Sequence, residues 1–346
     1  MKFAIDCRMI GSGGIGTYFE SVLPYLLKNY ECLLFGKDKD IEKYKNFGNA
    51  ELKRCEIDTF SVNELIHFPK DLLKEINKCD IYYTPYCNIP NGIKIPIYST
   101  IHDVVFLDIK GLSSTIGTFI RKIFYKRAIS KSEVVFTVSK FSAERIKHHL
   151  KTKKDIVVTY NSVPEWFINK GNEKKENVIL FVGNIKRHKG LHILVTAFNK
   201  VVSQGLKAQL LIVGNADNFR SQDSSIFEEI DKNENIKFTG RISDEELKNL
   251  YASSSLLVQP SLYEGFGMPP LEALTMGTNV IISDIPVFKE IYKEFPVTYF
   301  ESENPNDLAN KIIENFNKEA PKNLPEIYSF KKTSDIIINT ILEKEK

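Results

Sequence analysis

Two glutamates, Glu264 and Glu272, stand with seven residues between them, on either side of the turn Gly265-Phe-Gly-Met268. Ser255 to Gln259 reads as a short apolar strand, and Pro260 to Phe266 as turn chemistry. Pro269 and Pro270 stand where a helix begins, because proline suits a first helical turn whose N–H groups lack partners anyway. That helix stops at Gly277. Gly265, Phe266, Gly267 and Met268 therefore form a loop aimed at a helix N-terminus. Glycine lets backbone approach a ligand closely. A helix end offers free N–H groups and a partial positive charge, which suits a phosphate. The flanking carboxylates suit sugar hydroxyls instead. Phosphate donors between two hydroxyl acceptors point to a sugar nucleotide. In the plainer alternative Glu272 only favours the helix dipole, Glu264 is solvated, and the run is a turn. The spacing of the whole run argues against it.

The run from Glu264 to Glu272 resembles the signature of retaining, family-4 type (group 1) glycosyltransferases of the GT-B fold. The resemblance implies that Glu264 contacts the donor sugar and Glu272 the ribose. The backbone amides of Gly265, Phe266, Gly267 and Met268 would hold sugar and phosphate. The stretch Ser99-Thr-Ile-His-Asp103 is similar to the family's T-x-H-D segment, whose histidine, here His102, meets the donor sugar near its reactive carbon. Read from the residues alone, His102-Asp103 ends a strand, where open parallel sheets place ligands; the other reading is a capping aspartate and a packed histidine.

A second phosphate geometry follows the apolar strand Val178 to Val182. Gly183-Asn-Ile-Lys-Arg-His-Lys-Gly190 leads into a helix through about Gln204. Lysine offers a point charge and arginine a planar fork. In the resembling family this loop carries an arginine directly after the glycine and a lysine before the second glycine. Lys189 matches, whereas Asn184 departs, and Arg187 or Lys186 is left to supply the charge. The loop around Gly240-Arg-Ile242 resembles one that lies beside the nucleobase, which implies a base contact for Arg241; a plain surface cation is the alternative.

Near the N-terminus, Gly11, Gly13 and Gly16 satisfy the dinucleotide fingerprint G-x-G-x-x-G. The preceding strand, Lys2 to Asp6, ends several residues too early for that use. The next, Cys32 to Phe35, does not end on an acidic residue. The resemblance implies that this loop, with Gly13 and Gly14, faces a cleft opposite the donor phosphates. A ligand-free glycine turn is the alternative.

A chain of 346 residues suits two domains. With 42% hydrophobic and 26% charged residues it has ordinary soluble globular composition. A net charge of +3 is too mild to argue for nucleic acid. Cys7, Cys32, Cys55, Cys79 and Cys87 form no C-x-x-C, so neither a disulfide framework nor a zinc site is expected. The N-terminus lacks the apolar run of a signal peptide, and no apolar stretch is long enough to span a bilayer. A cytoplasmic protein is expected, peripheral at the inner face of the plasma membrane if it meets lipid. Asp38-Lys39-Asp40 reads as a solvated charged loop, so no metal is expected there.

Strands alternate with helices through both halves, which calls for parallel sheets covered by helices. The expected fold is α/β, of GT-B type: two Rossmann-like domains facing across a cleft. An acceptor-side domain takes residues 1–163 and a linker 164–177. A nucleotide-sugar domain takes 178–325, and a terminal helix, 326–346, packs back on the first domain. Ser114 to Lys131 is expected as a helix with Ile116, Phe119, Ile120, Ile123, Phe124 and Ala128 on its apolar face and Arg121, Lys122, Lys126, Arg127 and Lys131 elsewhere. With the basic stretch Lys140 to Lys154, it suits an anionic membrane surface or simply a core-facing helix with a solvated back. The resemblance implies retaining transfer of a hexose-type sugar from a nucleotide-sugar donor to a glycan or lipid-linked glycan hydroxyl, without metal or cofactor, in cell-surface polysaccharide or glycan assembly. Two other readings stay open: an NAD-dependent dehydrogenase using Gly11–Gly16, and a non-catalytic sugar-nucleotide-binding subunit.

Overall fold

Each pairing between neighbouring strands is parallel among the described residues. The computed structural model describes residues 1–167, 174–214, 227–228, 230, 232–316 and 318–346, with Val62 as backbone only. Strands β1 (Lys2–Asp6), β2 (Glu31–Gly36), β3 (Ala50–Arg54), β4 (Ile81–Thr84), β5 (Ile97–Thr100), β6 (Val134–Thr137) and β7 (Ile156–Val158) form one sheet in the order β3-β2-β1-β4-β5-β6-β7. Strands β8 (Glu176–Val182), β9 (Gln209–Val213), β10 (Ile236–Gly240), β11 (Ser254–Gln259), β12 (Asn279–Ser283) and β13 (Thr298–Phe300) form the other, in the order β10-β9-β8-β11-β12-β13. Central strands such as β1, β4 and β8 contain buried apolar runs, Phe3 to Ile5, Ile81 to Tyr83 and Val178 to Val182, as burial on both faces demands.

Both sheets share one plan. The chain walks from its first strand to one edge, then restarts on that strand's other side. The reversal falls between β1 and β4 in the first sheet and between β8 and β11 in the second. At such a point the loops leaving adjacent strands diverge and open a crevice beyond the carboxyl ends, where open α/β sheets bind ligands.

The chain divides into two Rossmann-like units, Met1–Pro164 with Tyr328–Lys346, and Glu165–Ile327. The terminal helix Phe330–Lys344 belongs to the first. Its Thr333 hydroxyl donates to the Thr159 and Tyr160 carbonyls at 2.7 and 2.9 Å. Its Phe330 ring meets Tyr18 edge-on. Glu165 to Phe167, expected in a linker, lie in the second unit, where Phe167 packs on Tyr251. Residues 168–173 of that expected linker lie outside the described residues.

The first helix starts at Gly13, inside the glycine loop, and runs through Pro24 to Asn29. Two expectations need correction. Asp38–Ile41 is a short helix rather than a loop, because Ile41 is buried and pulls the segment onto the sheet. In the helix Thr115–Lys131, capped by the Ser114 side chain, the buried residues are Tyr125, Ala128 and Ile129; Ile116, Phe119, Ile120 and Ile123 are exposed.

A buried charge network fixes the start of the glycine loop. Arg8 donates to Asp6 through Nε at 2.9 Å and Nη2 at 2.6 Å, and Nη2 also reaches Glu64 at 2.7 Å. The Tyr82 hydroxyl donates to Asp6 at 3.0 Å, and Asn88 Nδ2 to Glu64 at 2.6 Å. Burial pushes the Glu64 carboxyl up, while the Arg8 cation and the Tyr86 hydroxyl pull it down. Removing one partner of such a group strands its opposite charges. Arg8→Met should therefore cost about 3–5 kcal/mol of stability. The loss should shrink at acidic pH, since protonating a carboxylate relieves the stranded charge. Denaturant melts at several pH values check both points; a variant as stable as the parent overturns the assignment.

Candidate functional site

The loops that leave β8 and β11, neighbours at the reversal of the second sheet, are in direct contact. After β8 the chain makes a short 3-10 turn, Arg187–Lys189, and then the helix Leu191–Ser203. Gly190 joins them with φ of +70°, and a Cβ there would lie 1.9 Å from the Pro260 carbonyl oxygen. Only glycine allows that approach. The Leu262 amide donates to the His188 carbonyl at 2.7 Å, which fastens one loop to the other.

These contacts set Lys189 Nζ on Glu264 Oε2 at 2.6 Å. The Ser261 hydroxyl donates to the other Glu264 oxygen at 2.7 Å, and the Gln259 amide faces it at 3.5 Å. An ammonium has three donors. One is spent on Glu264, and the side chain stays 21% exposed against 8% for its partner. The arrangement thus offers a lysine able to take anionic oxygens and a carboxylate able to take hydroxyls, within one hydrogen bond of each other.

The glycine turn is locked from behind. Gly267 has φ of +87°, and a Cβ there would lie 2.3 Å from the Phe288 ring. The Tyr292 hydroxyl donates to the Gly267 carbonyl. Gly267 precedes the helix Met268–Thr275, whose Pro269 and Pro270 carry no N–H. Anion contacts at this end therefore fall to the turn amides and Met268. The Phe266 side chain is buried.

Glu272 is one turn along that helix. It accepts a hydrogen bond from the Tyr251 hydroxyl at 2.7 Å. Burial pushes its carboxyl up to about 7, against the opposing pull of the Tyr251 bond. Arg187 and Asn184 are exposed on the β8 loop, and Arg241 is exposed after β10, at the sheet edge.

The remaining candidates belong to the first unit. His102 follows β5; its Nε2 lies 3.1 Å from the Pro85 carbonyl, and its ring meets Tyr18 edge-on at 4.9 Å. A carbonyl only accepts, so Nε2 carries the proton and Nδ1 is the acceptor nitrogen. Burial lowers the imidazole to about 4, which keeps it neutral. Gly11, Gly13 and Gly14 are exposed, and a Cβ on Gly16 would come within 2.8 Å of the Met9 carbonyl oxygen. Six residues separate β1 from the helix starting at Gly13. Asp38 and Lys39 are exposed.

The structure adds four residues around the glutamates. Ser261 and Gln259 hold Glu264, Tyr251 holds Glu272, and His188 is buried beside Lys189 with its imidazole lowered to about 4, chiefly by burial. Its Nδ1 has no hydrogen-bond partner among the described residues. Gln259 and Ser261 were within reach of sequence reasoning, being polar side chains at a strand end just before Glu264. Tyr251 was not, since its contact with Glu272 crosses between helices.

A family model described as glycosyl transferases group 1 matches residues 162–331. An uncharacterized glycosyltransferase of Methanocaldococcus jannaschii is 26% identical over 330 residues, 86% of this chain and 83% of its own length. The O-antigen chain mannosyltransferase RfbU of Salmonella typhimurium is 35% identical over 180 residues, 50% of each chain. Among solved structures, Anabaena HepE in complex with UDP and glucose has a TM-score of 0.74 at 15% identity, covering 99% of this chain and 100% of that one. That last likeness is one of fold.

The contact between the two loops makes a direct prediction. Gly190→Ala should destabilise the second unit by at least about 1–3 kcal/mol, the scale for a non-glycine residue forced into left-handed backbone, with the clash against Pro260 added. Urea unfolding checks it; an unchanged midpoint would show that the loops do not depend on this approach.

Proposed function

Taking as premise that residues 162–331 belong to the group 1 glycosyl transferases, we propose that the protein transfers a hexose-type sugar, with retention, from a nucleoside diphosphate donor to an acceptor hydroxyl in the assembly of a cell-surface polysaccharide or glycan. The observation that carries this reading is the Lys189–Glu264 contact beside the Gly265–Met268 turn. It sets a phosphate donor and a sugar acceptor one hydrogen bond apart, as a sugar diphosphate requires.

In this reading the bond from the anomeric carbon to the diphosphate breaks, and the acceptor oxygen bonds to that carbon on the same face. The departing diphosphate oxygen takes the electron pair of the broken bond and accepts the proton that the acceptor hydroxyl gives up. Lys189, the turn amides and Arg187 stabilise that charge; donors fixed before the reaction cost no reorganisation when it occurs. Arg187 shares the 3-10 turn of Lys189 and stands in for the arginine that Asn184 replaces. Glu264 holds sugar hydroxyls, Glu272 the ribose, and Arg241 the base. His102, neutral and with Nδ1 as acceptor, serves the donor sugar near the reacting carbon. The relatives named as an O-antigen chain mannosyltransferase and a serotype-specific mannosyltransferase support a hexose donor and a glycan acceptor. The family match and the six residues between β1 and its helix disfavour a dehydrogenase. A thermal-shift panel of UDP-, GDP-, ADP- and dTDP-sugars with NADH tests the reading. Stabilisation by NADH alone would sink it, and donor turnover without acceptor would exclude a merely binding subunit.

Because the neutralising charges belong to the protein, EDTA should leave turnover nearly intact. An absolute need for manganese or magnesium would overturn the metal-free assignment.

The two glutamates should separate kinetically. Interactions specific to the transition state appear in kcat, and uniform binding of a remote group appears in affinity. Glu264→Gln should lower kcat with little effect on nucleoside diphosphate affinity. Glu272→Gln should weaken that affinity by about 1–3 kcal/mol, the scale for imperfectly paired buried groups. A carboxyl lifted to about 7 accepts ribose hydroxyls with both oxygens only once ionised. Parent affinity should therefore rise as pH passes upward through 7, by more than in Glu272→Gln, which carries only the ligand's own titration. Calorimetric titration of both variants decides; the reverse pattern of losses would invert the roles.

A further inference from the structure

The helix Thr115–Lys131 has two apolar faces, and only one is used. Tyr125, Ala128 and Ile129 face the core. Ile116, Phe119, Ile120 and Ile123 are 73%, 63%, 46% and 50% exposed. They recur at i, i+3, i+4 and i+7, so they form one stripe along the first turns. At 3.6 residues per turn this stripe lies opposite the buried face.

The charge around the stripe has a single sign. Residues 109–132 contain no aspartate or glutamate, and they carry Lys110, Arg121, Lys122, Lys126, Arg127 and Lys131. Two of these cations are occupied. Arg121 donates to Ser113 at 2.9 Å and lies over the Phe106 ring, and Arg127 donates to the Ile89 carbonyl at 2.6 Å and to Asn91 at 2.5 Å. The four lysines make no ion pair among the described residues. Lys122 and Lys126 lie along one edge of the stripe, one turn apart, on stems long enough to hold their charges at a headgroup while apolar neighbours go deeper.

We propose that this face docks on an anionic lipid surface, the stripe entering the interface and the lysines meeting the headgroups. Such a division, apolar on one side and cationic along an edge, is what an in-plane helix needs. A second copy of the chain fits less well, since it would set lysines against lysines with no carboxylate in the segment to answer them. The exposed Ile66 extends the face. It ends the helix Val62–Ile66, whose Leu65 carbonyl accepts from Asn91 at 2.8 Å, and Asn91 in turn holds Arg127. Within the basic stretch Lys140–Lys154, Arg145 and His149 are paired with Asp108, and Lys154 donates to the Ser132 carbonyl.

Topology gives the docking a consequence. The helix Val62–Ile66 follows β3 and the helix Thr115–Lys131 follows β5, so both begin at the carboxyl edge of the first sheet. His102 and the glycine loop leave from the same edge. Docking therefore brings that edge to the lipid surface and favours an acceptor anchored in it. This last step rests on the transferase reading; the docking does not.

Flotation with vesicles of phosphatidylcholine plus phosphatidylglycerol, against phosphatidylcholine alone, tests the proposal on the full chain. The parent should float only with the anionic vesicles, and less at high salt, where charge attraction is screened. Lys122→Gln with Lys126→Gln should lower partitioning roughly fivefold for each lysine. Phe119→Ser with Ile123→Ser should abolish it without changing the melting temperature or nucleoside diphosphate binding. A parent that ignores anionic vesicles, a serine variant that still floats or melts lower, or a parent dimer that this variant splits would each overturn the docking. Flotation without any sugar-nucleotide binding would keep it and sink the transferase reading instead.

Discussion

The second unit depends on one close approach, Gly190 against the Pro260 carbonyl. A single added carbon at Gly190 would overlap that oxygen at 1.9 Å. Interiors packed this tightly do not deform by small amounts. The loops after β8 and β11 are thus fastened at a fixed distance, and the Leu262–His188 hydrogen bond repeats the constraint one strand-end away. Lys189 and Glu264 inherit their contact from this. Neither side chain needs to search for the other, so the entropy of pairing is met by the fold rather than by the ion pair. The same logic holds behind Gly267, where Phe288 and Tyr292 leave the turn one conformation.

How much of this was legible in the sequence differs by kind of interaction. Strands such as Val178–Val182 were legible because burial on both faces writes an unbroken apolar run. The strand β3 was not, since an edge strand reading Ala-Glu-Leu-Lys-Arg carries no such signal. Glu264 and Glu272 were marked by local spacing. Their partners Lys189 and Tyr251 are 75 and 21 residues away, and only the tertiary structure joins them. The helix Thr115–Lys131 was placed to within one residue, but the single apolar face read there divides: Ala128 is buried with Tyr125 and Ile129, whereas Ile116, Phe119, Ile120 and Ile123 are exposed. Periodicity reports that apolar residues share a face but not which face meets the core, and a helix apolar on two sides gives two answers.

The first sheet uses its reversal point differently from the second. Its loop after β1 begins inside a network of buried carboxylates, tyrosines and Arg8, then emerges as the exposed run Gly11–Gly14. Rigid root and open tip come from neighbouring residues. Asp6 and Arg8 anchor the chain where it leaves the strand, and Gly16, packed on the Met9 carbonyl oxygen, returns it to the helix. Only the residues between remain at the surface with their backbone accessible.

The ion pairs at Arg8 and at Lys189 therefore have opposite characters. Arg8 is 1% exposed, and its contacts with Asp6, Glu64 and Tyr86 leave no approach from solvent. Such a group is part of the scaffold: Nε and Nη2 meet their acceptors inside the protein, Nη1 is buried without a partner among the described residues, and any exchange of partners would strand a charge. Lys189 pairs with a carboxylate that is itself held by Ser261, yet two of its donors are unspent and a fifth of the side chain reaches solvent. Those donors can meet an incoming anion while the bond to Glu264 holds, so neither charge is stranded. A fixed carboxylate beside a lysine with donors to spare is an arrangement that a charged, hydroxyl-bearing ligand can enter and leave.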